Sequence, residues 1–435
     1  MPSKLPIVVV GMALCHGAWA QTPQTPTAPL TLTFQEALER ARVNSPQIIS
    51  ANIAALIAHE DTVQAKAALL PTANGFSQYI YTQPNGTPSG VFVGNDGPHI
   101  YANQLQVHGD IWSPAKIADY RKTQLAEAVA RAKTEIAGRG LVATVVEDYY
   151  AMVSAARKLA NARTTLAEIQ RFADITQKQE RGGEVAHSDT VLAQVQMVKS
   201  QRDLQEAQLA LDKARLAFSV LLFPDFRQDF NVVDDLNGVR PLPAFDEIQG
   251  MAGRNSPDIR AAQATVEQQG FELKSARADR LPTLSFDYFY GMYANQFAIH
   301  DREGFNNLGN VAQAQLNIPL WNWGALKSRV KQAELRLQQA RSDLSLTQRQ
   351  LLANLHSFYL ESQAASSQVA SLEESLRLST ESLRLTLLRY QAGEVSVIEV
   401  KDAQNTLVDA RNAYDDGMVR YRLALANLQT LTGAF

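Results

Sequence analysis

Residues 311–320 read Val-Ala-Gln-Ala-Gln-Leu-Asn-Ile-Pro-Leu. Ala312, Ala314, Leu316, Ile318 and Leu320 alternate with Gln313, Gln315 and Asn317. A period of two puts the apolar set on one face of a strand and the amides on the other. A strand of about ten residues with one apolar and one polar face suits a membrane barrel wall, with lipid outside and water inside. The pattern recurs in Tyr101–Trp112, where Leu105, Val107 and Ile111 alternate with Gln104, Gln106, His108 and Asp110. Leu284, Phe286, Tyr288 and Tyr290 form a third apolar face, and the segment after Phe76 alternates less cleanly. Strands are expected at about 74–84, 99–112, 283–294 and 309–320, forming an outer-membrane barrel.

Outward from these strands, Trp112, Trp321 and Trp323 stand where a strand gives way to a long helical stretch. Tryptophan favours the membrane–water interface, so the junction is expected at the inner edge of the membrane. Four strands cannot close a barrel, because the smallest membrane barrels have about eight. An open sheet edge is not tolerated in lipid, so several chains must share one barrel; a trimer supplies about twelve strands.

Beyond the strands the chain is built for long helices. No proline occurs between Pro114 and Pro224, and none follows Pro319. Residues 115–181 and 326–392 can therefore each form a helix about 100 Å long. In the second, Leu351, Leu355, Phe358, Ala365, Val369, Leu372, Leu376 and Leu383 step by fours and threes, with Ser362 and Ser379 in the gaps. Val142, Val145, Tyr149, Met152, Ala156 and Leu159 do the same in the first. This is coiled-coil spacing with a thin apolar seam.

The chain is also written twice. Asn44-Ser45-Pro46 recurs as Asn255-Ser256-Pro257, and Leu70-Pro71-Thr72 as Leu281-Pro282-Thr283. Trp112 corresponds to Trp321, Tyr149 to Tyr359, and Gly183-Glu184-Val185 to Gly393-Glu394-Val395, at nearly constant displacement. A tandem duplication follows, each half running helix, two strands, long helix, shorter helix. The expected division is a signal peptide at 1–20, a first repeat at 21–240 and a second at 241–435. Lys4, the apolar run Ile7–Leu14 and Ala18-Trp19-Ala20 make the leader, with cleavage expected before Gln21. Cys15 follows Leu14 rather than a small residue, which argues against a lipid anchor there.

The 435 residues are 46% apolar and 20% charged, with a net charge of −3, which excludes a disordered tail and a strongly basic nucleic-acid binder. One cysteine and seven dispersed histidines leave no disulfide framework and no paired-histidine zinc helix. With no nucleophile elbow or phosphate loop either, the sequence predicts neither an enzyme nor a cofactor. The methionines are dispersed, which disfavours a metal-export duct built on methionine clusters.

Together these residues resemble the TolC-type outer-membrane efflux family. The carriers are Leu32-Thr33-Phe34-Gln35-Glu36-Ala37-Leu38, the duplicated Asn-Ser-Pro and Leu-Pro-Thr, and Arg389-Tyr390-Gln391-Ala392-Gly393. The resemblance implies a mainly α chain with a small β part, assembled as a homotrimer whose twelve-stranded barrel continues into a twelve-helix periplasmic tube. It implies a passive duct in the outer membrane, working with a periplasmic adaptor and an inner-membrane pump in efflux or type I secretion. It places the pore constriction at Glu399 and Asp402, which share one helix face at i,i+3. On a helix Lys401 points about 100° away from Asp402 and about 160° away from Glu399. It implies a closed-state latch in which Tyr390 hydrogen-bonds Asp189, beside Ser188; the family's latch arginine falls at Val395, a departure. The turns Gly182-Gly183-Glu184 and Ala392-Gly393-Glu394 match adaptor-docking loops. The competing reading is a soluble periplasmic coiled-coil scaffold, which explains the helices but leaves the alternating strands without a role.

Overall fold

The computed structural model describes residues 30–82, 98–236, 238 and 241–433. The expected signal segment with Cys15, and all but the last residue of the loop at 83–98, lie outside the described residues.

The first half opens with β1 (Leu30–Leu32), α1 (Phe34–Asn44) and α2 (Pro46–Ala67). Then come β2 (Thr72–Tyr81), β3 (His99–Trp112), α3 (Pro114–Arg181) and α4 (His187–Leu222). The second half repeats that order: β4 (Phe230–Val232), α5 (Phe245–Asn255), α6 (Pro257–Ala278), β5 (Thr283–Ala294), β6 (Leu308–Asn317), α7 (Ala325–Gln391) and α8 (Val397–Thr432). The molecule is therefore mainly helical with a small sheet part. No described helix is long and apolar enough to cross a membrane.

Local chemistry sets the element ends. Thr33 caps α1: its Oγ1 accepts from the Glu36 N–H at 3.3 Å, and Glu36 Oε2 accepts the Thr33 N–H at 2.9 Å. Proline opens α2, α3 and α6, where its missing N–H costs nothing. The last strand ends at Asn317 rather than near Leu320, because Pro319 has no N–H to extend the ladder.

The four long strands form one antiparallel sheet in the order β2-β3-β5-β6. His108 pairs with Thr72 on one side and Asp287 on the other, and Asp287 pairs with Gln313. Below the sheet, α3 lies between α2 and α6 and α6 leans on α7; lower still, α3 separates α4 from α8, and α8 packs on α7. Both layers are thus curved walls of helices, with α2 and α4 on one edge and α7 on the other.

The largest core knots the two layers together around Tyr149, Phe218, Phe230, Leu32, Leu141 and Met152. The Tyr149 ring meets Phe34 edge-on at 5.6 Å, and its hydroxyl donates to the Val233 carbonyl at 2.6 Å. The repeat has its counterpart in Tyr359 against Phe245 at 5.3 Å. Of the seam residues in α3, Val142, Val145, Tyr149, Met152 and Leu159 are buried, while Ala156 is exposed. In α7, Ser362 sits in the seam by donating back to the Phe358 carbonyl at 2.8 Å, so its hydroxyl is satisfied without a partner helix.

Candidate functional site

At the far end of the helices from the sheet, each long helix turns into its shorter partner through the same hydrogen-bond pattern. Gly183 N–H donates to the Glu180 carbonyl at 2.9 Å and Glu184 N–H to Gln179 at 2.9 Å. Gly393 N–H donates to Tyr390 at 3.0 Å and Glu394 N–H to Arg389 at 2.9 Å. Both are Schellman turns, and both glycines take φ of 76°, a conformation a side chain resists. Gly182, Gly183, Glu184, Ala392, Gly393 and Glu394 are all exposed, forming two adjacent tips.

Just above the tips, Tyr390 is buried at 3% exposure, its ring 5.1 Å from that of Phe172. Its hydroxyl donates to Thr176 Oγ1 at 3.2 Å, and Thr176 in turn donates to the Phe172 carbonyl at 3.0 Å. Within this protomer the phenol therefore bonds Thr176 of α3. Asp189 in the first turn of α4 acts on Tyr390 through its charge: burial raises the phenol's pKa, the Thr176 contact opposes this, and Asp189 adds to the rise. Ser188 is exposed. Val395, where the resemblance places an arginine, packs half-buried against the cluster of Phe172, Tyr390, Val397 and Val400. Apolar packing therefore occupies the place of a charged link.

The helix α8 starts at this cluster. Val397, Val400, Gln404 and Leu407 are buried, so Glu399 and Asp402 fall on the exposed side. The Glu399 carboxylate accepts the Ser396 N–H at 3.4 Å, which makes it a helix cap as well as an exposed acid. Lys401 leaves the helix in a different direction, yet its Nζ comes within 3.6 Å of Asp402 Oδ1. The long lysine stem spans the angle that separates the two backbone positions.

At the other end, Trp112 is 44%, Trp321 77% and Trp323 89% exposed. Trp321 and Trp323 meet edge-on at 5.7 Å, and Trp323 takes φ of 53°, followed by Gly324 at 85°. These two left-handed residues make the corner from strand to helix. A bulge between Asp110 and Trp112 sets Trp112 opposite Leu284, on the apolar face.

Two groups of residues have no signature in the sequence pattern. One ties α3 to α8: Arg157 donates to Asp415 at 3.1 Å and to Asp234 at 2.6 and 2.8 Å, Asn161 donates to Asp415 at 2.8 Å, and Arg411 grips Glu168 at 3.0 and 3.2 Å. Beside it a polar cleft of ≈ 470 Å³, lined by Lys158, Asn161, Lys199, Asp203, Asn405 and Asp409, separates α4 from α8. The other is His108 with Asp287 on the polar face of the sheet, 2.8 Å apart. Both depend on contacts between residues far apart in the chain.

Residues 250–434 match the family "Outer membrane efflux protein". Over 417 residues the chain is 22% identical to the outer membrane protein TolC of Vibrio cholerae, covering 92% of this chain and 90% of that one. It is 25% identical to the cobalt-zinc-cadmium resistance protein CzcC of Cupriavidus metallidurans, over 62% of each chain. The crystal structure of the outer membrane protein VceC from Vibrio cholerae shares the fold at a TM-score of 0.81 and 17% identity, over 92% of this chain and 96% of that one. The second half of the chain thus matches the outer membrane efflux protein family, and nearly the whole chain resembles TolC-type proteins in sequence and fold.

Proposed function

We propose that three copies of this chain close one twelve-stranded barrel in the outer membrane, continued by a twelve-helix periplasmic tube, and that the assembly is a passive export duct. The observation that carries this is the matched pair of unfinished edges. Strands β2 and β6, of ten residues each, leave one ladder side unpaired in the protomer and are exposed along almost their whole length. In lipid each unpaired backbone group costs several kcal/mol, so the edges must meet. Because β2 and β6 run oppositely within the sheet, β6 of one copy meets β2 of the next as a further antiparallel pair, and the ring closes head to tail.

The helices carry the same complementarity. On one edge, α2 exposes Ile49, Ile53, Leu56 and Ile57, and α4 exposes Val191, Val195, Val198, Leu209 and Leu216, all at helical spacing. On the other, α7 exposes Leu335, Leu346, Leu360, Leu378 and Leu385. Each stripe lies on the edge that also ends the sheet.

Membrane placement follows from the apolar face of the sheet, which carries Leu105, Val107, Leu284, Phe286, Tyr288, Tyr290 and Leu316. Tyr79, Tyr81 and Tyr101 stand near its outer end, and the three tryptophans near its inner end. Tyr101 to Trp112 spans about 37 Å along the strand. At a tilt of about 40° that is about 28 Å of height, close to the apolar band of an outer membrane.

In this reading Glu399 and Asp402 of three copies converge on the axis and make the entrance prefer cations. Tyr390, held between Thr176 and Phe172 and near Asp189, latches the tip shut. The paired turns at Gly183 and Gly393 receive the adaptor, and a pump in the inner membrane drives the cargo. The polar cleft between α4 and α8, level with the Arg157–Asp415 and Arg411–Glu168 ties, leaves the two helix pairs room to shift.

The deciding experiment is the protein mass of particles extracted from outer membranes in mild detergent. Three chains per particle is the expected result. A monomer, or release without detergent, refutes the shared barrel and returns the chain to the scaffold reading.

A further inference from the structure

The polar face of the sheet is built almost entirely from uncharged groups. The four strands contain no lysine or arginine, and their carboxylates are Asp110 and Asp287. Asp110 is paired with Lys116 from the first turn of α3. Asp287 has no such cation. Its carboxylate lies at 8% exposure, with His108 Nδ1 at 2.8 Å and Gln106 Nε2 at 3.2 Å from Oδ1, and Gln313 Nε2 at 3.5 Å from Oδ2. The other residues around the pair on this face, Thr72 and Asn74 on β2, Ser285 and Phe289 on β5 and Gln315 on β6, carry no charge. His108 keeps 41% of its side chain open.

We propose that Asp287 and His108 form a cation-selecting station on the channel wall of the barrel, separate from the acids at the tube tip, whose charge is set by protonation of His108. The proposal rests on the shared-barrel reading. Three copies place three such pairs at one height around the lumen. With the imidazoles neutral the ring carries three negative charges and favours cations over anions. With the imidazoles protonated each pair is neutral and the preference disappears. The two glutamine amides hold the carboxylate against the wall, so the charge stays fixed while ions pass. At ~0.1 M salt the field reaches about 10 Å, enough to act on ions across a barrel lumen.

The test is the ratio of potassium to chloride permeability of the purified full chain in planar bilayers under a potassium chloride gradient. It is run in a Glu399→Ala/Asp402→Ala background, so that the tip acids contribute nothing. At about pH 8 this background should prefer potassium, and at about pH 5 the preference should be lost. His108→Gln should keep the preference at both values, because Asp287 then has no protonatable partner. Asp287→Asn should show no potassium preference at about pH 8 and should favour chloride at about pH 5, because His108 then has no carboxylate to offset its charge. Should Asp287→Asn not insert, the His108→Gln comparison decides alone. Conducting channels whose preference is the same at both pH values and in both variants overturn this station and leave the duct intact. Failure to conduct at all, even with Tyr390→Phe added to unlatch the tip, overturns the duct, and this proposal with it.

Discussion

Tyr390→Phe tests the proposed latch, because it removes one oxygen and keeps the ring against Phe172. The lost group is a single buried hydrogen bond, to Thr176 at 3.2 Å. Thr176 is not orphaned, since its hydroxyl donates to the Phe172 carbonyl at 3.0 Å. The cost is therefore the net value of one neutral hydrogen bond, about 1 kcal/mol per copy, without an added desolvation penalty. If opening breaks all three links together, the closed state loses about 3 kcal/mol, or about 100-fold in the closed-to-open ratio at 1.4 kcal/mol per decade. If copies open one at a time, each step gains only about fivefold. Resting conductance of reconstituted channels reads this directly. A rise of about two decades supports concerted opening, and a rise of about fivefold supports independent protomers. Thr176→Val leaves the phenol without its acceptor and should raise resting conductance at least as much. Unchanged conductance in Tyr390→Phe, with the particle still trimeric, refutes the latch. If Thr176→Val is silent while Asp189→Asn matches Tyr390→Phe, the working link runs to Asp189 instead. Because burial raises the phenol pKa, the latch hydroxyl stays protonated through neutral pH and its contribution is flat there.

Replacing Glu399 and Asp402 with alanine should weaken cation preference in bilayers; unaltered selectivity would show that these carboxylates do not border the pore. Tyr149→Phe leaves the Val233 carbonyl without the donor now at 2.6 Å, and should cost about 1–2 kcal/mol, visible as a lower thermal midpoint of the detergent-solubilised particle. Asp234 has its pKa raised by burial, but the Arg157 guanidinium and the Leu236 N–H outweigh that and hold it below the usual carboxylate range. A depressed pKa stabilises the fold above the unfolded-state value and is lost as pH falls through the folded one, so thermal stability should drop below about pH 4. Arg157→Met should lower stability at neutral pH, since it leaves the largely buried Asp415 with Asn161 alone, and should flatten the acid-side drop; an unchanged acid profile contradicts the pairing.

Much of this architecture is legible because it is written in local periods. Alternation by two in residues 311–317 and 104–111, and stepping by fours and threes in Val142–Met152 and Leu351–Leu383, are forced by where a strand or helix points successive side chains. Proline marks the element ends because it lacks an N–H, and the duplicated Asn-Ser-Pro and Gly-Glu-Val landmarks give the same order of elements twice. Even the unfinished edges can be counted, since four strands do not close. Ala156 shows the limit of a period: it keeps the seam's spacing and is still exposed, because a coiled coil buries a position only where a partner helix lies against it.

What only the tertiary structure decides is which distant residues meet. Register between β3 and β5 sets His108 against Asp287 across 179 residues, and a slip of one position would turn one of them to the other face. The phenol of Tyr390 finds Thr176, 214 residues away, because the ends of α3 and α7 converge where the helices turn. Arg411 meets Glu168 and Arg157 meets Asp415 only because α8 packs along α3. Glu399 turns out to cap its own helix while remaining exposed, and Lys401 bends to Asp402 although their backbone directions differ. The sequence determines periods, ends and repeats, because these follow from bonds to near neighbours. Pairings between elements follow from the packing of the whole chain, and it is there that Tyr390 meets Thr176, Arg157 and Arg411 meet their acids, and His108 meets Asp287.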